Sequence, residues 1–350
     1  MSKNRLFIIC SLIAVLVWRA AGAAAGVGGV IVGLTDDPMA VGGGARPLGM
    51  GRAFAAVADD VDTMFINPAG LASLRGPQGM TMYTNLINEI YYSEFCAGLP
   101  AAFGTVGLGY VITGVNQIPI TVDTKTVYAD YYDTMLVFSY ASVLARFFDY
   151  GKDIFVGMNL KLLNRGYNGG YNQSATGVSA DIGCKYVYTP YLSFAVNRQS
   201  ILPPSLGGVV RWTGGGEETL AGLTKVGLAI KPRQLDGKLL VALDIDLPAD
   251  SSRPLTGHLG TEWKANEYIS LRGGFDQIVD AASASSTSWS PTFGISLLYA
   301  RFRVDYAYHP YYNQAQLTST YVSISFSGEP TLALKGGPQP MIEGPRRSSE

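Results

Sequence analysis

Residues able to do acid–base, metal or nucleophilic chemistry are few in this chain, and their spacing assembles none of the common sites. Its two histidines are His258 and His309. His258 precedes Glu262 in a pattern a Ser-His-carboxylate hydrolase could use, but nothing singles out a serine to complete it. Cys10, Cys96 and Cys184 form no ligand-spaced pair with each other or with histidine, so neither a metal centre nor a cofactor is expected. Gly49-Met50-Gly51 has no strand before it to make a dinucleotide turn, and no phosphate-binding Walker loop occurs. Asp59, Asp60 and Asp62 crowd three carboxylates together, which reads as a solvated turn ahead of a cation site. No enzymatic activity is expected.

The informative charges instead alternate with greasy residues. In Arg301-Phe302-Arg303-Val304-Asp305-Tyr306-Ala307-Tyr308, charged or small side chains fill the odd positions and large apolar ones the even positions. Successive strand side chains point to opposite faces, so this segment has one ionic and one aromatic face. The same division recurs in other segments. One face collects Lys161, Lys225, Lys231, Asp244, Asp246, His258, Glu262, Arg272, Arg301, Arg303 and Asp305, while the opposite face is nearly free of charge. A cation facing lipid costs roughly 2–4 kcal/mol at the bilayer midplane, so this segregation predicts a membrane barrel with the ionic face toward its lumen.

Strand signals recur from about residue 78 to residue 327, as fourteen segments beginning with Gln78 to Asn85 and ending with Leu317 to Ser327. Short connections such as Thr189-Pro190 and Ala265-Asn266 alternate with longer ones such as Asn116 to Tyr132 and Gln199 to Thr219. That asymmetry, and an even strand count, is expected of an outer-membrane barrel with short periplasmic turns. Tyrosines near the strand ends, including Tyr131, Tyr188, Tyr191, Tyr268, Tyr299, Tyr311 and Tyr312, suggest two interfacial girdles. Alternation puts Cys96 and Cys184 on opposite faces, so both are expected to be free thiols.

Composition fits this reading. The 350 residues carry 26 Lys and Arg against 27 Asp and Glu, which leaves no electrostatic case for nucleic acid. Lys3 and Arg5 precede an apolar run from Leu6 to Trp18 and a small-residue stretch, the layout of a signal peptide over residues 1–25. No later run is long and apolar enough for a transmembrane helix. The sequence therefore divides into the signal peptide, an N-terminal hatch at 26–77, a transmembrane antiparallel β-barrel at 78–327, and a periplasmic tail without fixed structure at 328–350.

The hatch has its own texture. Gly and Ala are dense from residue 42 onward, and Asn67 before Pro68 predicts an N-cap with proline at the first helical position, starting a short helix to about Leu74. The string from Gly44 to Asp60, followed by Asn67-Pro68-Ala69-Gly70-Leu71-Ala72, resembles the N-terminal signature of the PorV-like outer-membrane proteins, related to the FadL fatty-acid transporters. The strings 258–263, 269–275 and 304–308 look like that family's last strands. The resemblance implies a fourteen-stranded barrel holding a hatch, with Arg46, Gly49, Gly51, Arg52, Asp59, Asp60, Asn67, Pro68, Ala69 and Gly70 in the hatch. Arg52 stands where the usual pattern has glycine, which puts a cation there.

Two functions follow as expectations. One is a passive channel for small hydrophobic or amphipathic solutes, with Ile118, Pro119, Ile120, Ile201, Leu202, Pro203 and Pro204 in the long loops as contact residues. The other is a PorV-like platform whose exposed loops receive exported proteins. Membrane lipid is a partner in both.

Overall fold

The computed structural model describes residues 38–330 apart from 87–88, 149–150, 152, 251–252, 280–285 and 311–318. The expected signal peptide, Tyr311, Tyr312 and all but the first residues of the tail lie outside the described residues.

Sixteen strands hydrogen-bond into one sheet: β1 (Gln78–Leu86), β2 (Ile90–Ala101), β3 (Gly104–Val122), β4 (Lys125–Val143), β5 (Ile154–Gly169), β6 (Gln173–Thr189), β7 (Leu192–Gln199), β8 (Val209–Trp212), β9 (Glu217–Thr219), β10 (Leu223–Ile230), β11 (Leu239–Pro248), β12 (Thr256–Lys264), β13 (Ile269–Val279), β14 (Thr287–Tyr299), β15 (Phe302–His309) and β16 (Ser319–Ser327). β8 and β9 are a hairpin within one long loop, and the other fourteen form a closed antiparallel barrel. β1 pairs with β16, Gln78 opposite Ser327, and β5 with β6, so no strand of the ring is left with an open edge.

Closure and alternation sort the side chains. Leu108, Phe138 and Leu160 lie in register across β3, β4 and β5 and are exposed on the outer surface, as are Leu243, Leu259 and Phe275 across β11, β12 and β13. Their strand neighbours Asn159, Lys161, Asp244, His258 and Asp276 point inward and are buried. Cys96 is buried and Cys184 half-buried, and both are free.

Two loops differ from expectation. The segment from Asn116 to Tyr132 is not a loop: β3 and β4 continue through it, past an irregularity between Val115 and Ile118, to a tip at Asp123 and Thr124. Its Thr-, Gln- and Pro-containing sequence obscures a ladder whose turn needs only those two residues, both with positive φ. The loop after β7 carries the β8–β9 hairpin. β7 pairs with β6 only as far as Ile182 opposite Arg198, and above that point β8 takes over the vacated edge, with Gly177 opposite Val210. Among its described residues, the connection after β4 holds one 3-10 turn, Leu144–Arg146, with Phe147 and Phe148 exposed beside it.

Inside the barrel, residues 38–74 form the hatch. They contain a helix α1 (Ala45–Gly49) and 3-10 turns at Pro38–Val41, Val61–Phe65 and Pro68–Ser73. Asn67 accepts from the Ala69 amide at 3.2 Å, the expected cap, although the helix it starts is 3-10 and ends at Ser73. The Val61 amide donates to the side chain of Gln78 at 3.1 Å, which ties the hatch to the start of the first barrel strand.

A cation on the outer surface should be far more damaging than one in the interior. Leu243→Lys is expected to lower unfolding stability in lipid bilayers by about 2–4 kcal/mol. Equal stability of this variant and the parent would show that the surface does not meet hydrocarbon.

Candidate functional site

The site is the plugged interior, and its polar half is built around Arg46. Its guanidinium forks onto Glu262 of β12, with Nε 2.8 Å from Oε2 and Nη2 2.9 Å from Oε1. The remaining Nη1 donates to Asp59 at 2.6 Å and Asp60 at 2.7 Å. Glu262 is shared with Arg272 of β13 at 2.7 Å, Arg272 reaches Asp305 of β15 at 2.9 Å, and Arg303 meets Asp305 at 2.7 Å and returns to Asp60 at 3.0 Å. Arg46, Glu262, Arg272, Asp305, Arg303 and Asp60 thus close a ring of alternating charge joining the hatch to three strands. Asp60, expected on a solvated turn, is buried, as is Asp62, and Asp59 is paired. The expectation failed because Arg46, 13 and 14 residues before Asp59 and Asp60, folds back onto them, and Arg303 reaches Asp60 from 243 residues away.

Further polar side chains satisfy hatch backbone that its short helical turns leave unpaired. Asp244 accepts from the amides of Phe54 at 2.9 Å and Ala55 at 2.8 Å. Lys185 donates to the carbonyls of Val57 and Ala58, Asn159 to Met64, Asn197 to Ile66, Ser193 to Ala56, and Thr292 to Gly49. Glu94 accepts from Gly44 and from the hydroxyl of Tyr92. Where backbone meets backbone, the wall is glycine: a Cβ on Gly274 would sit 2.5 Å from the Gly51 amide nitrogen.

A second chain of charges runs along the wall. Lys225 pairs with Asp246 at 2.5 Å, Asp246 lies 3.3 Å from His258, His258 is 2.6 Å from Asp276, and Asp276 holds His309 at 2.8 Å. Arg52 of the hatch stands 3.9 Å from Asp276 and adopts a φ of 66°, the left-handed conformation that favours glycine. Lys161 pairs with Asp181 at 2.8 Å. One of the charges expected in the lumen stands apart, Arg301, half-exposed at the barrel rim and paired with Glu329, whereas Lys231, half-buried just past the end of β10, lies near enough to Asp59 of the hatch to help hold its carboxyl below the usual range.

Above the hatch, on the long-loop side, lies a cavity of about 190 Å3. Pro47, Leu48, Phe65, Ile66, Leu223 and Pro248 supply its apolar lining, and Arg52, Lys225, Asp246, Asp250 and Arg253 its charges. None of the loop residues expected to contact a ligand lines it. Ile118, Pro119 and Ile120 belong to the β3–β4 extension, and Ile201, Leu202, Pro203 and Pro204 lie ahead of β8 with Ile201, Pro203 and Pro204 exposed. The sequence held no signal for Leu48, Phe65, Leu223 or Pro248, since ordinary apolar residues mark a cavity only once the chain is closed. Among the described residues no group of acidic, histidine or cysteine side chains could hold a metal ion.

Solved structures similar in fold include channels. CymD, a monoaromatic hydrocarbon channel, is 13% identical with a TM-score of 0.58, over 83% of this chain and 98% of its own. The toluene transporter TodX of P. putida is 11% identical with a TM-score of 0.52, over 77% and 94%. A FadL homologue of Pseudomonas aeruginosa is 11% identical with a TM-score of 0.56, over 81% and 98%. The likeness establishes a shared fold. No family model and no curated protein matches the sequence. The channels offer the secretion-platform expectation no support.

Removing Arg46 would strand Glu262 and Asp60 inside the protein, so Arg46→Ala is expected to destabilise the hatch by about 3–5 kcal/mol, read as faster proteolysis within residues 38–75 of the folded barrel. Asp62 provides a pH test. Neither of its oxygens has a hydrogen-bond partner among the described residues, and Arg303 is no nearer than 3.7 Å. Burial, and then the charge of Asp60, push its pKa well above the ordinary value of 3.8. Its contribution is thus fully favourable below that value and is lost as pH rises through the folded one. Asp62→Asn should raise the unfolding midpoint at neutral pH, and the gain should vanish below about pH 4; a gain independent of pH would assign the effect to packing.

Proposed function

We propose that this chain is a passive outer-membrane channel for small apolar or weakly amphipathic solutes. The observation that carries the reading is the cavity above the hatch, inside a closed barrel whose fold is that of hydrocarbon channels. Its apolar lining would accept a ring or short alkyl chain, beside a rim where Lys225 pairs with Asp246. On the scale where an apolar cavity of roughly 150 Å3 takes up benzene, this one suits a solute of one or two rings. The outer face, free of charge at mid-height, supports placement in a bilayer, and with no open edge the barrel meets the demand that lipid imposes on backbone. The likeness in fold supports an outer membrane of a diderm bacterium.

The test is uptake of labelled toluene by host cells lacking their own hydrocarbon channels. Producing the chain should raise the initial rate several-fold over the empty host, and Leu223→Trp, which fills the cavity, should return it most of the way. A rate equal to that of the empty host, with the barrel folded in its outer membrane, would remove the channel reading.

A further inference from the structure

The hatch is held unequally around its circumference. Its polar anchors end on β1, β2, β5–β7 and β11–β16. β3 and β4 instead meet it through Gly107, Gly109, Val111, Met135, Val137 and Ala141, which pack with Met64, Phe65 and Leu71 of the 3-10 turns in one buried apolar cluster. We infer that apolar solutes pass the hatch on this side, below the Asp133–Arg165 pair at its long-loop end, through the seam between Met64 and Phe65 on the hatch and Gly107 and Gly109 on β3. The inference rests on the channel reading and adds to it the route and the residues that set the solute's size.

Three observations converge on the seam. First, it has a space at each end. Phe65 lines the long-loop cavity, and Leu74, from the same apolar cluster, lines a second cavity of about 20 Å3 at the short-turn end with Thr105 and Ala141. Second, the wall is cut back to glycine where it meets the turn Val61–Phe65. A Cβ on Gly109 would lie 2.6 Å from the Met64 sulfur and 3.1 Å from the Phe65 ring, and one on Gly107 would lie 2.8 Å from the Met64 methyl. Third, the residue filling the gap is methionine, whose unbranched thioether re-packs among rotamers at little cost. Rotation of an exposed side chain takes picoseconds to nanoseconds, and a buried one is slower, so Met64 can yield to a passing ring without displacement of the hatch. On the opposite side a solute would have to part the charge ring, leaving buried carboxylates and guanidinium groups unpaired.

The experiment compares full-length variants in the channel-free host, with toluene, naphthalene and a hydrophilic sugar as probes and retained heat-modifiable electrophoretic mobility as the sign of a folded barrel. Met64→Ala is expected to raise naphthalene uptake about fivefold, about 1 kcal/mol off the barrier, with a smaller effect on toluene and none on the sugar. Gly109→Ala should lower naphthalene uptake by a similar factor. Sugar leaking through Met64→Ala would mean a loosened hatch and would overturn the seam. Naphthalene uptake unaffected by both substitutions, in a chain that still carries toluene, would overturn the seam and leave the channel standing. Absence of all apolar uptake by the unaltered chain would overturn both.

Discussion

A buried charge must find its opposite, and the ring of Arg46, Glu262, Arg272, Asp305, Arg303 and Asp60 is how this protein meets that demand. Each member touches two others, so none can leave without exposing its neighbours to a medium that solvates them poorly. The ring fixes the relation of β12, β13 and β15, because a slip of one residue would turn Glu262, Arg272 or Asp305 outward. It equally fixes α1, whose only cation supplies one corner. Hatch and barrel are consequently a single structure in energetic terms, although they are separate in sequence.

The same mutual dependence extends to the backbone. A hatch of 3-10 turns and one short helix leaves many amides and carbonyls unpaired, and a chain with so little regular structure could not bury them alone. Asp244, Lys185, Asn159 and Asn197 project from the wall at the places where those groups face it. Side chains that sequence alone assigns only to a polar lumen are thereby given specific partners. The lumen's polarity thus serves two ends: part of it holds the hatch, and the rest, such as Lys225, Asp246 and His258, pairs along the wall.

How much of this was legible in the sequence follows from the range of the physics involved. The fourteen strands could be read because alternation is local: two residues suffice to tell one face from the other, and the cost of a charge in lipid keeps the signal clean. Asn67 before Pro68 was equally local. The partners in the ring were not, since Arg46 and Glu262 are 216 residues apart and only closure of the barrel brings them together. Asp60 and Asp62 looked solvated partly for the same reason, since Arg303 comes from the far end of the chain, whereas Asp59 is covered by Arg46 only 13 residues before it. The β3–β4 extension was hidden by Asn116, Gln117 and Pro119, residues associated with loops, in a hairpin that rises beyond the region where alternation is enforced. The cavity's apolar residues carried no pattern at all. Gly107 and Gly109, spaced by two on β3, did carry one, because paired luminal glycines ask what approaches them.

Asymmetry in how the hatch is held constrains any mechanism of passage. Displacing it as a body would break the charge ring, strip Asp244 of two amide donors and remove Lys185 from two carbonyls in one event. Each lost partner leaves a buried polar group unsatisfied at about 1–3 kcal/mol, and more where the group is charged, so the sum exceeds what binding one small apolar molecule can return. A neutral solute also gains nothing from charges that it cannot pair. On the β3–β4 side the hatch side chains Met64, Phe65 and Leu71 are held by dispersion contacts, individually near 0.1–0.2 kcal/mol, so a rearrangement confined to them would strand no charge. The lumen is therefore divided in how it grips the hatch: ion pairs and hydrogen bonds to its backbone hold most of the circumference, and apolar packing alone holds the turn Val61–Phe65 against Gly107 and Gly109 of β3.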